Sequence, residues 1–350
     1  MNKRIEYIDA MRGFTMILVV YAHIRFYGYH IDDYSDAFSF NSLFMLIRMP
    51  LFFFVSGFLF YKDTWNKDNL KLFFKRKTQV QIGSTLFFMS IYAFIFGYNF
   101  IDGLFDSYKL GYWFTITLFN FYIAFFLLNY IINKLGVKNN LIDITWIIIA
   151  LLLHFITTTK AMQVLGVDGL LTGLLSINMF KYFIFFTVGT LVRKHFVNYE
   201  RLVQRNYFTT TILLAFWILV IPYLKFKSHL NNPWIEHFAF LCIGILGIFI
   251  IFLFFRKYSD SFSINTKIGK CLQYIGKRTL DIYLLHYLFL PRDLGCLGSI
   301  FNDFKNPCIE LFVSSFLAIS VIGLCLIISN IIRISNPIAY YLFGVKNKNI

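Results

Sequence analysis

Residues 7–23 read Tyr7-Ile8-Asp9-Ala10-Met11-Arg12-Gly13-Phe14-Thr15-Met16-Ile17-Leu18-Val19-Val20-Tyr21-Ala22-His23. The run is apolar enough for a membrane helix, yet an arginine and a histidine interrupt it. Eleven residues are close to three helical turns, so Arg12 and His23 project from one face, ~16 Å apart along the axis. Ionisable groups inside a membrane helix are expensive, and they usually mark a substrate path or a proton relay. A base that shares a face with a fixed cation points to chemistry on an anionic or polarised substrate within the bilayer.

The surrounding sequence fits that reading. The chain is 58% hydrophobic, holds 45 phenylalanines and has a mean hydropathy of +0.64, beyond any ordinary soluble domain. Apolar runs of about 17–25 residues, the length that spans hydrocarbon as a helix, recur from end to end. Ten spans are expected, at 8–27, 42–60, 79–98, 111–132, 143–159, 177–192, 208–224, 235–255, 279–294 and 309–333. The polar stretches between them are too short for an independent domain. Residues 1–350 therefore read as one all-α integral-membrane domain, a bundle of about ten helices around a polar cavity. The first span has no small-residue cleavage site and is read as retained rather than as a signal peptide.

A formal charge of +15 suggests nucleic acid, but its distribution says otherwise. With both termini cytoplasmic, the inside segments hold 22 Lys and Arg and the outside loops 5, the asymmetry of the positive-inside rule. The first outside loop, Asp32-Asp33-Tyr34-Ser35-Asp36, is acidic. No Cys/His spacing resembles a metal site. Cys296 and Cys308 fall in one outside loop, where a disulfide and two free thiols are both open readings.

Along the chain, Pro50 is expected to kink or unwind the second span, and Arg48 lies in its outer half at about the depth of His23. Ser56 and Gly57 allow close helix packing. Lys62, Lys67, Lys71, Lys75, Arg76 and Lys77 make the segment 61–78 either a lipid-facing amphipathic stretch or a basic mouth for a phosphorylated donor. Trp113 opens the fourth span in the aromatic belt and is also suited to stack on a sugar ring. Asn120 follows inside that span. His154, alone in the fifth span, reads as a packed histidine, and snorkelling accounts for Lys181. Asp281 lies near the inner end of the ninth span. His286, five residues on, is near mid-membrane on a different face.

Four motifs then combine. Arg12-x10-His23, the run from Met49 to Phe58, Tyr112-Trp113-Phe114 and the run Ile275-Gly276-Lys277-Arg278-Thr279-Leu280-Asp281-Ile282-Tyr283-Leu284-Leu285-His286 resemble, in order and separation, the integral-membrane acyltransferase family 3. The likeness spans roughly residues 5–345. It implies a ten-span protein of the bacterial inner membrane that moves an acyl group, usually acetyl, from cytoplasmic acyl-CoA to a carbohydrate hydroxyl at the outer face. Acetyl-CoA is then a substrate, with no tightly bound cofactor, and the acceptor is a glycan such as capsule or O-antigen. The family's catalytic pair corresponds to Arg12 and His23. Two features depart from the pattern. Many members carry Arg-x-x-Arg after the second span, where this chain has Lys75-Arg76-Lys77-Thr78-Gln79. Many also carry a soluble C-terminal domain; none follows here, so direct delivery to the sugar is expected.

A sugar hydroxyl is a poor nucleophile at neutral pH, so a positioned base must take its proton. His23 suits that role. Arg12, near the cytoplasmic end, suits the donor's phosphates together with Lys75, Arg76 and Lys77, and Asp9, one turn earlier, could orient it. Arg48 suits the oxyanion or the acceptor. Trp113, Asn120 and His286 are assigned to the acceptor. For each arginine the alternative is an internal ion pair that holds a polar bundle together. The rival classes are a polysaccharide flippase or transporter and a polymerase of lipid-linked sugars. The first often shows repeated halves and the second a long outside loop, and neither feature is found.

Overall fold

A computed structural model describes residues 5–30, 40–62, 65–138, 141–157, 169–203, 206–226, 232–304 and 306–345. The acidic loop Asp32–Asp36 lies outside them. Among the described residues there are helices and no strands. In chain order the first are α1 (Glu6–His23), α2 (Phe40–Phe60), α3 (Lys67–Lys77), α4 (Ser84–Phe96), α5 (Phe100–Phe105) and α6 (Trp113–Lys134). Then come α7 (Ile142–Ile156), α8 (Leu170–Leu175), α9 (Phe183–Lys194), α10 (Phe196–Val203), α11 (Asn206–Phe226) and α12 (Pro233–Lys257). The last are α13 (Lys267–Lys277), α14 (Thr279–Phe289), α15 (Gly295–Phe304), α16 (Pro307–Ile332) and α17 (Asn336–Phe343).

Seven helical stretches among the described residues are long and apolar enough to cross a membrane: 40–60, 67–96, 113–134, 172–194, 207–226, 233–257 and 307–332. The other three expected spans are helical but differ in kind. α1 carries Glu6, Asp9 and Arg12, α7 has 15 residues, and α14 has 11. The helix in the expected ninth span, 279–294, stops at Phe289. Leu290 turns extended ahead of Pro291, whose ring disfavours a helical conformation in the residue before it. The third span starts earlier than expected, because α3 continues through a π-turn (Thr78–Gly83) into α4. Pro50 does not unwind α2, which runs unbroken from Phe40 to Phe60. A proline removes one backbone donor, and the paired turns on either side keep the helix whole.

Local signals explain several helix starts. Asn66 caps α3 by accepting from the Asn69 N–H at 2.8 Å. Thr266 caps α13 through the Gly269 N–H at 2.9 Å. Asn232 caps α12, with Pro233 in its first turn, where a missing N–H costs nothing.

The described residues fall into two compact units. The first comprises residues 1–52 and 197–331. Its centre is the pairing of α1 with α13, where Gly13 lies against the Leu272 carbonyl and Gly276 against the Asp9 carbonyl. A Cβ at either glycine would fall on the facing backbone, so the two helices touch without side chains between them. In this unit the Arg256 guanidinium also forms a paired ion contact with Glu200.

The second unit comprises residues 53–196 and 332–350. It is packed largely with aromatic rings: Phe53 meets Phe114 and Phe121, each at 4.9 Å, and Phe60 stacks on Tyr122 at 4.9 Å. Gly57 lets the second half of α2 approach the Phe186 carbonyl of α9, the close packing its sequence suggests. His154 is fully buried and bonds the Lys181 carbonyl at 2.6 Å, as a packed histidine should.

Lys109 is an internal tether of this second unit. It is 1% exposed, and its ammonium donates to the carbonyls of Leu104 (2.7 Å), Asp106 (2.8 Å) and Gly173 (2.5 Å). Desolvation by burial lowers its pKa to about 8, so at neutral pH all three hydrogens are present for the three acceptors. Lys109→Met should cost about 3 kcal/mol or more, because it leaves buried carbonyls without donors. Thermal unfolding in detergent measures this, and an unchanged midpoint would show that the tether contributes nothing.

Candidate active site

Within the first unit, α1 lays out the polar residues in the order the sequence suggests. Asp9 is buried one turn below Arg12, with its Oδ1 3.7 Å from Arg12 Nη1. Arg12 Nη2 also donates to Thr279 Oγ1 at 2.8 Å. Thr279 is the first residue of α14. The same end of α14 is anchored to α16: Arg278 Nη1 donates to Ser329 Oγ (2.9 Å), and Ser329 donates to Asp281 Oδ2 (2.5 Å). Asp281 and His286 do point to different neighbours. Asp281 meets α16, whereas His286 meets α1.

The meeting with α1 is the centre of the site. His23 Nδ1 lies 3.0 Å from His286 Nε2, and the two rings stack with centroids 5.1 Å apart. His286 is fully buried, and its Nδ1 is 2.8 Å from the Tyr283 carbonyl and 3.1 Å from the Ile282 carbonyl. A carbonyl can only accept, so the His286 proton sits on Nδ1 and its Nε2 carries the lone pair. His23 must then donate from Nδ1, which leaves the lone pair on His23 Nε2. The Tyr287 hydroxyl is 3.3 Å from that nitrogen. Tyr27 and Tyr287 stand edge-on to one another 6.0 Å apart, and the Arg292 guanidinium lies over the Tyr27 ring at 5.7 Å. The unit thus holds a half-buried imidazole of fixed tautomer, its basic nitrogen facing tyrosines.

Arg48 is half-buried on α2 within the same unit. The structure brings His23 and His286 together, with Arg12 further down the same α1 and Arg48 elsewhere in the same unit. Immediately beyond His23 the helix widens into a π-turn, Ile24–Gly28, of a kind that often accompanies functional sites. Arg25 in that turn is 1% exposed and forms a 2.6 Å ion pair with Glu310 of α16, and Tyr29 shares a 3.0 Å hydrogen bond with Ser314. A family described as an acyltransferase domain matches residues 5–344. The chain belongs to the integral-membrane acyltransferase family 3. Neither a curated protein nor a solved structure matches it.

The remaining candidates of this acyltransferase belong to the second unit. Arg76 Nη2 donates to the Gly344 carbonyl at 2.5 Å, beside a cavity of ≈ 280 Å³ lined also by Phe73, Lys77, Val80 and Phe343. Lys77 Nζ sits over the Tyr122 ring at 5.1 Å, and Lys75 is exposed. Trp113 is half-buried and stacks on Tyr182 at 5.7 Å. Asn120 donates to the Leu175 carbonyl at 2.7 Å. These contacts give Arg76, Trp113 and Asn120 packing partners of their own. Cys296 and Cys308 of the first unit are exposed free thiols, so the bridge the sequence left open is not formed. No cluster of metal-ligating side chains occurs among the described residues.

Sequence reasoning missed His286 as the partner of His23, and it missed Thr279, Tyr27, Tyr287 and the Arg25–Glu310 pair. Tyr27 was within reach, since it follows His23 by one turn of the same helix. Arg25 also lies in the turn beyond His23, but its partner Glu310 comes from α16 and Thr279, Tyr287 and His286 from α14, and no spacing within α1 announces them.

Proposed function

We propose that the protein transfers an acyl group, acetyl foremost, from cytoplasmic acyl-CoA to a hydroxyl of a cell-surface or lipid-linked polysaccharide across the bacterial inner membrane. The observation that carries this reading is the tautomer of His23, whose Nε2 lone pair is held ready to accept a proton. In the reaction the acceptor hydroxyl gives its proton to His23 Nε2 while its oxygen attacks the thioester carbonyl. The tetrahedral intermediate collapses with loss of the CoA thiolate, which takes the proton back from His23. Arg48 stabilises the developing oxyanion, worth most where water is excluded. Arg12, held by Asp9 and Thr279, binds the donor's phosphates; Lys75, Arg76 and Lys77 of the second unit are proposed as donor-side cations on their charge alone. Trp113 and Asn120 contact the acceptor. His286 takes a role other than the acceptor contact that the sequence suggested: it holds the His23 ring.

The test is transfer itself. Radiolabelled acetyl-CoA given to membrane vesicles should place label on a glycan, and label that stays on CoA while a sugar is moved would favour a flippase.

The reading requires ten spans with both termini cytoplasmic. Reporter fusions after Lys62, Lys194 and Lys257 should be cytoplasmic, and one after Lys225 external. Exchanged signals at any of these points would overturn the orientation.

A further inference from the structure

In the second unit, a cavity of ≈ 230 Å³ is lined by residues from the C-terminal halves of α2, α6 and α9 and the N-terminal half of α7, and the proposed chemistry makes no use of it. Its inner wall is aromatic: Phe125 stacks on Trp146 at 4.7 Å, with Phe60 5.0 Å from Phe125. The Trp146 indole N–H is spoken for by Asn129 Oδ1 at 3.2 Å, so the wall offers rings rather than donors. The rim is cationic. Lys62 Nζ lies 4.6 Å over the Trp65 ring. Lys194 Nζ and His195 Nε2 each approach one oxygen of Asp143 at 2.6 Å. Asp143 thereby fixes Lys194 in place and leaves two of its three hydrogens to point elsewhere.

Two lysines and one carboxylate give the rim a net positive charge above an apolar wall. Around it α6 and α7 expose Leu127, Ile131, Ile144 and Ile148, side chains suited to hydrocarbon. Basic pockets of this kind between membrane helices select anionic headgroups. We infer that this cavity binds an anionic glycerophospholipid, its phosphate between Lys62 and Lys194 and an acyl chain along the exposed faces of α6 and α7. Trp65 stiffens Lys62 as a cation–π platform. The inference does not depend on acyl transfer.

Native mass spectrometry of the full chain in detergent tests it, with phosphatidylglycerol, phosphatidylethanolamine and free CoA as probes. Phosphatidylglycerol should be retained in preference to phosphatidylethanolamine. At about 1 kcal/mol per lysine, Lys62→Gln or Lys194→Gln should weaken that retention about fivefold, and the double variant about thirtyfold. Lys62→Arg with Lys194→Arg should restore it, which separates lost charge from lost folding. Equal retention of both lipids would overturn the inference. So would a folded double Gln variant that binds as the wild type does, and so would displacement of phosphatidylglycerol by CoA, which would give the cavity to the acyl donor.

Discussion

His23→Gln should lower acyl transfer by about 10²–10⁴-fold while membrane insertion and protein level stay normal. Glutamine keeps the size and one hydrogen bond to His286, so a packing histidine would tolerate it. It cannot take a proton from a hydroxyl. His286→Ala should cost less than His23→Gln, because it frees the ring without removing the base. The double variant should be little worse than His23→Gln alone, since residues that act as one unit do not add. Arg12→Ala should also fail, through loss of the donor. The measurement is labelled acyl transfer in vesicles holding matched amounts of each variant. A His23→Gln protein that transfers at near the wild-type rate would sink the mechanism.

Glu310→Ala should destabilise the first unit by about 3–5 kcal/mol, the cost of removing one partner of a buried ion pair. Arg25 is 1% exposed, so its guanidinium would lose the carboxylate 2.6 Å away with little water to replace it. Arg25→Met combined with Glu310→Leu should recover most of that loss, because two apolar side chains need no mutual neutralisation. Thermal unfolding in one detergent, for the wild type, Glu310→Ala and the double variant, reads this out. If Glu310→Ala melts like the wild type, the pair holds nothing together.

The helical membrane class was legible because hydropathy and charge asymmetry are properties of contiguous sequence. Asp9, Arg12 and His23 were legible for the same reason, lying on one helix whose period is known. The histidine pair was not, since 263 positions separate His23 from His286 and the contact exists only once α14 lies against α1. Arg25 and Glu310, 285 positions apart, were hidden in the same way. The unwinding expected at Pro50 did not occur because a proline's local penalty is visible in sequence, whereas the packing that keeps α2 helical is not.

The glycine contact between α1 and α13 bears on the donor as well as on packing. With backbone resting on backbone at Gly13 and Gly276, the Asp9–Gly13 turn that carries Arg12 has little room to slide along α13. From that anchored end the continuous helix carries His23 ~16 Å further along the axis, a measuring stick laid along α1. In the proposed reaction it gauges the donor's pantetheine arm, the flexible link between the phosphates at one end and the thioester at the other. An acyl donor with a shortened arm could satisfy Arg12 or reach His23, but not both at once.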